Sequence, residues 1–300
     1  MKKKVLITGG TGNIGSTLTD FLEKQQYEVL ILTRKKSKEN HLVYWDLDKK
    51  EIEAEKLKDV NIIINLVGAG IADENWSDAR KKVIIESRTE TTKFLFNVFK
   101  NEGIQLETYI GASASGYYGG VTKNKVFKES DNSGDDFLAE VCVKWEASHD
   151  LFKTIAKNHY IVRIGVVLTK TGGALEKMAA PVKLYAGAAL GSGKQIVPWI
   201  HVQDLIGIFH HLMDNQLERG IYNGVSPNPI NNKTLTKYIG KALGKPIILP
   251  NVPAFVLRLA LGEMSVIVLE GSEISSEKIT DAAYQFKYSM VDDALNNLLY

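Results

Sequence analysis

The chain has 300 residues, 44% hydrophobic and 24% charged, with a formal net charge of +2. That length can bury one large core, or one core plus a small lobe, and the scattered basic residues argue against nucleic acid as a partner. A single cysteine, Cys142, excludes an internal disulfide and a multi-cysteine metal site and fits a reducing cytoplasm, and no apolar run is long enough to span a membrane.

Lys3-Lys4-Val5-Leu6-Ile7-Thr8 reads as a short buried strand, with no leader ahead of it, and Gly9-Gly10-Thr11-Gly12-Asn13-Ile14-Gly15 follows at once. Leu18, Phe21 and Leu22 then recur at helical spacing up to residue 24, and residues 27–33 form a second apolar strand closed by Arg34. Strand, glycine turn, helix and strand make the opening half of a dinucleotide-binding fold. Gly9 permits the tight turn, Gly12 lets backbone approach a pyrophosphate, and Gly15 lets helix and strand pack closely. Thr11, Asn13 and Ile14 complete the turn at the helix start, whose unpaired N–H groups attract phosphate. An NAD site wants a carboxylate at the end of the second strand for the ribose 2′-hydroxyl. Thr33, Arg34, Lys35 and Lys36 offer none, and a guanidinium suits a 2′-phosphate, so NADP(H) is the expected cofactor, with Thr33 and Arg34 at its adenosine end.

Residues 41–45 read as a third strand, after which Asp46 is either an adenine contact or a surface turn carboxylate. Residues 60–67 form a continuous apolar strand running into Gly68-Ala69-Gly70. Leu66, Val67 and Gly68 should flank the cofactor at the carboxyl edge of the sheet, where open α/β sheets bind ligands. Residues 72–103 read as largely helical, with Arg88 either a phosphate or loop anchor or a solvated helix arginine. Residues 106–112 are a fifth strand, leading to Ser113-Ala114-Ser115-Gly116-Tyr117-Tyr118-Gly119. A long helix over 135–158 and a sixth strand over 160–168 follow, the strand bringing Val167 to the cofactor. This alternation predicts an α/β fold, a Rossmann-type doubly wound parallel sheet. Beyond Thr169 the pattern becomes a helix to about residue 186, helices over 205–214 and 231–243, a strand at 220–223, and short helices and turns from residue 250. The nucleotide-binding domain is drawn as 1–168 plus about 196–219. A smaller C-terminal α/β lobe on the substrate side takes about 170–195 and 220–300, including a terminal domain over 250–300.

The spacing Gly9-x-x-Gly12-x-x-Gly15 resembles the short-chain dehydrogenase/reductase superfamily in its extended branch. With Asn65-Leu66-Val67-Gly68, Trp76, the stretches 113–119, 137–146, 191–204 and 220–227, and Gly262-Glu263, the chain resembles an atypical subgroup of that branch, the NAD-dependent epimerase/dehydratase-like "epimerase family" proteins with a small C-terminal domain. The resemblance implies NADP binding, a small-molecule carbonyl or alcohol substrate, and homodimers built on helices like 76–103 and 136–158. Ordinary members use Ser, Tyr and a Lys four residues after the Tyr. Here Glu146 aligns with the acid that ends that motif, which puts Leu138 at the Tyr position, Cys142 at the Lys position and the Ser position near Ala114. Tyr117 and Tyr118 are then the expected substitute acids, with Ser113 or Ser115 orienting the substrate. If no group substitutes, the protein is a non-catalytic NADP(H)-binding redox sensor. No His, Asp or Glu set has metal-ligand spacing. His201 reads as scaffold, Cys142 as a small core residue, and Lys144 as pointing away from the site.

Overall fold

A computed structural model describes residues 2–122, 124–215 and 217–300. In chain order the first half holds β1 (Lys4–Thr8), α1 (Asn13–Lys24), β2 (Glu28–Thr33), β3 (Leu42–Asp46), β4 (Glu51–Ile52), β5 (Val60–Asn65), α2 (Asp78–Asn101), β6 (Leu106–Ala114), β7 (Val126–Phe127) and α3 (Phe137–His149). The second half holds β8 (Ala156–Ile164), β9 (Val166–Leu168), α4 (Gly173–Lys183), β10 (Ile196–Val197), β11 (Trp199–His201), α5 (Val202–Asp214), β12 (Gly220–Gly224), β13 (Ile230–Asn231) and α6 (Asn232–Ala242). The chain ends with α7 (Ala254–Leu261), α8 (Val266–Leu269), β14 (Glu273–Ile274), α9 (Glu277–Asp281) and α10 (Val291–Leu299).

The central sheet runs β12-β8-β6-β5-β1-β2-β3-β4. Every pairing in it is parallel except β3 with β4 at one edge. Side chains alternate across a strand, so β1 feeds two cores: Val5 and Ile7 join Leu18, Leu22, Leu205 and Leu212 on one face, while Leu6 joins Leu95, Phe96 and Phe99 on the other. Helices α1 and α5 cover the first face, and α2 packs with α3. The order reverses at β1 and β5, and the carboxyl ends of these two strands flank the glycine turn.

The sequence expectation of an α/β doubly wound sheet holds, with differences that have local causes. Residues 66–77 are not helical. Ser77 caps α2 by accepting from Arg80 N, and Trp76 Nε1 donates to Ile71 O at 2.8 Å, holding a loop ahead of the helix. The helix expected to reach residue 158 stops at His149, because β8 already pairs with β6 at Ala156↔Leu106. The expected strand 160–168 is two strands. At Gly165 the chain leaves the central sheet, a Cβ there would collide with Pro198, and β9 pairs instead with β11. Gly220–Gly224, placed in the lobe on sequence, is the edge strand of the central sheet beside β8.

Beyond the sheet, Leu168, Leu175, Val182, Trp199, Leu235, Ile239, Leu295 and Leu298 form a separate core, built by α4, α6 and α10. Asp204 ties α5 to the terminal segment, accepting from Lys287 N at 2.6 Å, Tyr288 N at 2.9 Å and Tyr284 Oη at 3.2 Å. Among the described residues, no helix is long and apolar enough to cross a membrane.

Candidate functional site

The site grows from the carboxyl ends of β1 and β5. Thr8 Oγ1 donates to Asn65 Oδ1 at 2.6 Å and accepts from Leu66 N at 3.0 Å and Val67 N at 3.1 Å. This clamp fixes Leu66 and Val67 against the glycine turn. Gly9 sits at φ +68°, a left-handed conformation that suits glycine, and its carbonyl accepts from Gly12 N at 3.0 Å. A Cβ on Gly15 would press on Gly9 O and stand 2.6 Å from Gly10 Cα, so α1 touches the turn through bare backbone. A Cβ on Gly12 would meet only Gly9 O, at 3.4 Å. The fold therefore does not need glycine at position 12; it keeps clear the space in front of the first N–H groups of α1, which is the shape a pyrophosphate requires.

The lobe completes this cradle. Asn13 lies against Gly172, where a Cβ would collide with its side-chain amide, so the loop ahead of α4 packs onto the turn. From α4, Lys177 Nζ donates to Ala72 O at 3.1 Å, in the loop after β5. Val167 is half-buried against the core shared by β1 and α1. Neither Gly172 nor Lys177 was evident as part of the site from sequence, because each depends on how the lobe packs.

At the adenosine end, Thr33 Oγ1 accepts from Lys35 N at 3.2 Å, and Arg34 is exposed with no ion pair among the described residues. Asp46 has the partners of a turn carboxylate. It accepts from Lys49 N at 3.1 Å, pairs with Lys49 Nζ at 3.3 Å and accepts from Tyr44 Oη at 3.3 Å. These bonds, the one from Lys49 N foremost, hold its carboxyl below the usual range.

Below the cradle a buried chain of hydrogen bonds joins β5, α2, β6 and α3. Asn65 Nδ2 donates to Thr92 Oγ1 and Tyr109 Oη, both at 3.0 Å; Tyr109 lies 2.6 Å from His149 Nδ1, and His149 Nε2 lies 2.9 Å from Ala112 O. Ala112 O can only accept, so Nε2 carries the imidazole proton and Nδ1 accepts from Tyr109. Burial pushes the His149 pKa down to about 3, and the ring is neutral. A folded pKa below the unfolded value of about 6.5 means that the unfolded chain binds the extra proton. Stability is therefore whole above pH 6.5 and falls as pH drops below it, by about 2 kcal/mol at pH 5 from this residue. Urea midpoints at pH 7.5 and pH 5 should show that fall, and His149→Gln should flatten it; an unchanged slope in the variant would contradict the assignment.

The expected catalytic hydroxyls lie in a second buried network. Ser113 Oγ donates to Glu146 Oε1 at 2.7 Å. Glu146 accepts twice from Arg163, at 2.8 and 2.9 Å, and Arg163 Nη1 donates to Tyr118 Oη at 3.1 Å. Tyr118 in turn donates to Asn223 Oδ1 at 2.7 Å. Ser113 and Tyr118 are 2% and 3% exposed, and burial raises the Tyr118 pKa to about 12. Both hydroxyls expected to act in catalysis therefore donate within the scaffold, to Glu146 and Asn223. Tyr117 differs. Its ring stacks on Arg163, with Cζ 3.3 Å from the centroid, and its hydroxyl has no partner among the described residues. Ser115 is also half-buried, with no hydrogen bond among the described residues.

Residues 5–223 match the model of the NAD dependent epimerase/dehydratase family. The chain belongs to that family. Residues 252–298 match DUF1731, a domain of unknown function. The Arabidopsis thaliana epimerase family protein SDR39U1 homolog, named as chloroplastic, is 35% identical over 303 residues, 98% of this chain and 86% of that one. An epimerase family protein of Staphylococcus saprophyticus is 34% identical over 305 residues, 99% of this chain and 100% of that one. The crystal structure of human epimerase family protein SDR39U1 with NADPH superimposes with a TM-score of 0.88 at 29% identity, covering 99% of each chain. UDP-glucose 4-epimerase of Thermotoga maritima, at 16% identity and a TM-score of 0.77, shares the fold.

Within this epimerase-family chain the three positions aligned with Ser, Tyr and Lys do converge. Cys142 Sγ lies 3.6 Å from Ala114 O, and a Cβ on the intervening Gly116 would stand 3.3 Å from Leu138 Cβ and 3.7 Å from Cys142 Sγ. All three are apolar or neutral. Burial raises the Cys142 thiol to about 12, so it packs and does not ionise. Lys144 pairs with Glu140 at 2.6 Å on the exposed face. His201 accepts from Gln203 N at 3.0 Å, stacks 3.9 Å from Tyr288, and is lowered by burial to about 4. It caps α5 as a neutral ring. A surface concavity of about 650 Å³ beside Tyr222 and Lys278 lies at the β12 edge, four strands from β1, and is separate from this site.

Proposed function

We propose that this protein binds NADP(H) and acts as an oxidoreductase or epimerase-like enzyme on a small carbonyl or alcohol substrate. One observation carries the cofactor half: an open cradle at Gly12 leads to Arg34, a free guanidinium at the end of β2 where an NAD site would place a carboxylate. Gly9, Thr11, Asn13, Ile14, Leu66, Val67 and Gly68 shape the rest of that path, and the NADPH in the human SDR39U1 crystal structure supports the reading. Bound NADPH supplies a hydride. On the protein side, Tyr117 and Ser115 are the hydroxyls free to pass a proton and to orient a substrate oxygen.

Fluorescence titration tests the cofactor assignment. NADPH should bind at least tenfold more tightly than NADH, and Arg34→Ala should remove most of the difference. Equal affinities in the wild type would overturn the preference. The apolar trio Ala114, Leu138 and Cys142 favours a second reading, a non-catalytic NADP(H)-binding redox sensor. Substrate-dependent NADPH oxidation that disappears in Tyr117→Phe separates the two.

A further inference from the structure

Arg88 is the charged group in the cleft that the fold does not account for. It sits on α2 with its guanidinium 4.9 Å over the Trp145 ring, and Nη1 donates to Ile84 O at 2.8 Å. Its Nε is buried with no partner, and no carboxylate pairs with it among the described residues. Arg80 is a like charge and the thiol of Cys142 is neutral, so neither compensates a buried cation. Directly above lies Gly68, where a Cβ would stand 2.8 Å from Arg88 Cζ. Glycine at that position makes room for the guanidinium beside the loop after β5.

Its position selects the ligand. The sheet runs β3-β2-β1-β5-β6 across the cleft. With a 2′-phosphate on Arg34 at the end of β2 and the pyrophosphate on α1 after β1, the other half of the dinucleotide must lie over β5 and β6. Arg88 stands there, between Gly68 after β5 and Cys142, which touches Ala114 at the end of β6. A guanidinium offers only donors, in a planar fork, and does not lose its proton. A pair of neighbouring ribose hydroxyls presents two acceptor oxygens to such a fork. Desolvating an unpaired cation is costly, and a ligand that brings oxygens to it offsets that cost.

Resting on the NADP(H) reading, we propose that Arg88 is the site's cationic anchor for the nicotinamide-side ribose. It reaches from α2 to supply the charge that the thiol of Cys142 does not provide from α3. This separates the two arginines of the cleft: Arg34 reads the adenosine half and Arg88 holds the nicotinamide half.

Two ligands tell these roles apart. NADPH spans both halves, and adenosine 2′,5′-bisphosphate carries only the adenosine half. Arg88→Met should weaken NADPH at least tenfold, leave adenosine 2′,5′-bisphosphate within twofold, and melt no lower than wild type, since it replaces an unpaired buried charge with an apolar chain. Arg88→Lys should keep part of the NADPH affinity. Arg34→Ala should weaken both ligands. Undiminished NADPH affinity in Arg88→Met, equal loss of both ligands, or a clear fall in melting temperature would overturn the assignment. A wild-type protein that binds neither ligand would remove the NADP(H) reading itself, and the anchor with it.

Discussion

Gly12→Val is expected to raise the Kd for NADPH at least a hundredfold while leaving the melting temperature close to wild type. Gly12 caps α1 with φ −82° and ψ 171°, an extended conformation that valine accepts readily. Its Cβ would meet only Gly9 O, at 3.4 Å, so the chain has room for the side chain. The isopropyl group would instead occupy the approach to the first N–H groups of α1, where a phosphate must come within hydrogen-bonding distance. A hundredfold loss corresponds to about 2.7 kcal/mol, the scale of one or two charge-assisted bonds. Gly15→Ala should show the reverse pattern. Its Cβ would press on Gly9 O and Gly10 Cα, and backbone yields less readily than a side chain, so stability falls by about 1–3 kcal/mol. Thermal melts and NADPH titrations on both variants check the pair. If Gly12→Val binds NADPH within threefold of wild type, the phosphate is not at this turn.

What the sequence disclosed was what short-range pattern can carry. Residues 4–33 declare strand, turn, helix and strand because each period is complete within its own segment. The edge strand Gly220–Gly224 has only five residues, and its place is set by pairing with β8, about sixty residues earlier. Its sequence therefore fitted a lobe strand equally well. The same limit applies to the hydroxyls. Ser113 and Tyr118 stand at the expected carboxyl edge, but their partners Glu146 and Asn223 lie 33 and 105 residues further along the chain. Nothing local reports that those protons are already committed. Asn65 did carry a readable signal, as a polar residue in the run Ile62-Ile63-Ile64-Asn65, yet its role as the hub of the Thr8 clamp emerged only with the fold. Arg88 stood out among helix residues, but its nearness to Cys142 needed α2 and α3 to be packed together.

Arg163→Met should destabilise the protein by about 3–5 kcal/mol, the cost of leaving half of a buried ion pair without its partner. The Arg163 side chain is 2% exposed and that of Glu146 10%. Burial pulls the Arg163 pKa down, but the bonds and charge of Glu146 outweigh it, and the net shift is upward. The pair is the junction of the fold. Through Ser113 and Tyr118 it connects β6, α3 and β8, and through Asn223, which donates to Ser275 O at 3.0 Å, it reaches β12 and the terminal segment. Methionine would leave the Glu146 carboxylate and the Tyr118 hydroxyl short of partners, and Tyr117 would lose the cation under its ring. Replacing both charges, in Arg163→Met with Glu146→Leu, should cost clearly less than the two single substitutions added together, because no lone charge stays buried. Urea denaturation of the four proteins gives the coupling directly. Once folded at low temperature, Arg163→Met should still bind NADPH within severalfold of wild type, because Ser113, Glu146, Arg163 and Tyr118 are all buried. A cost below 1 kcal/mol, or NADPH affinity lost without loss of stability, would move Arg163 and Tyr118 from the scaffold into the site.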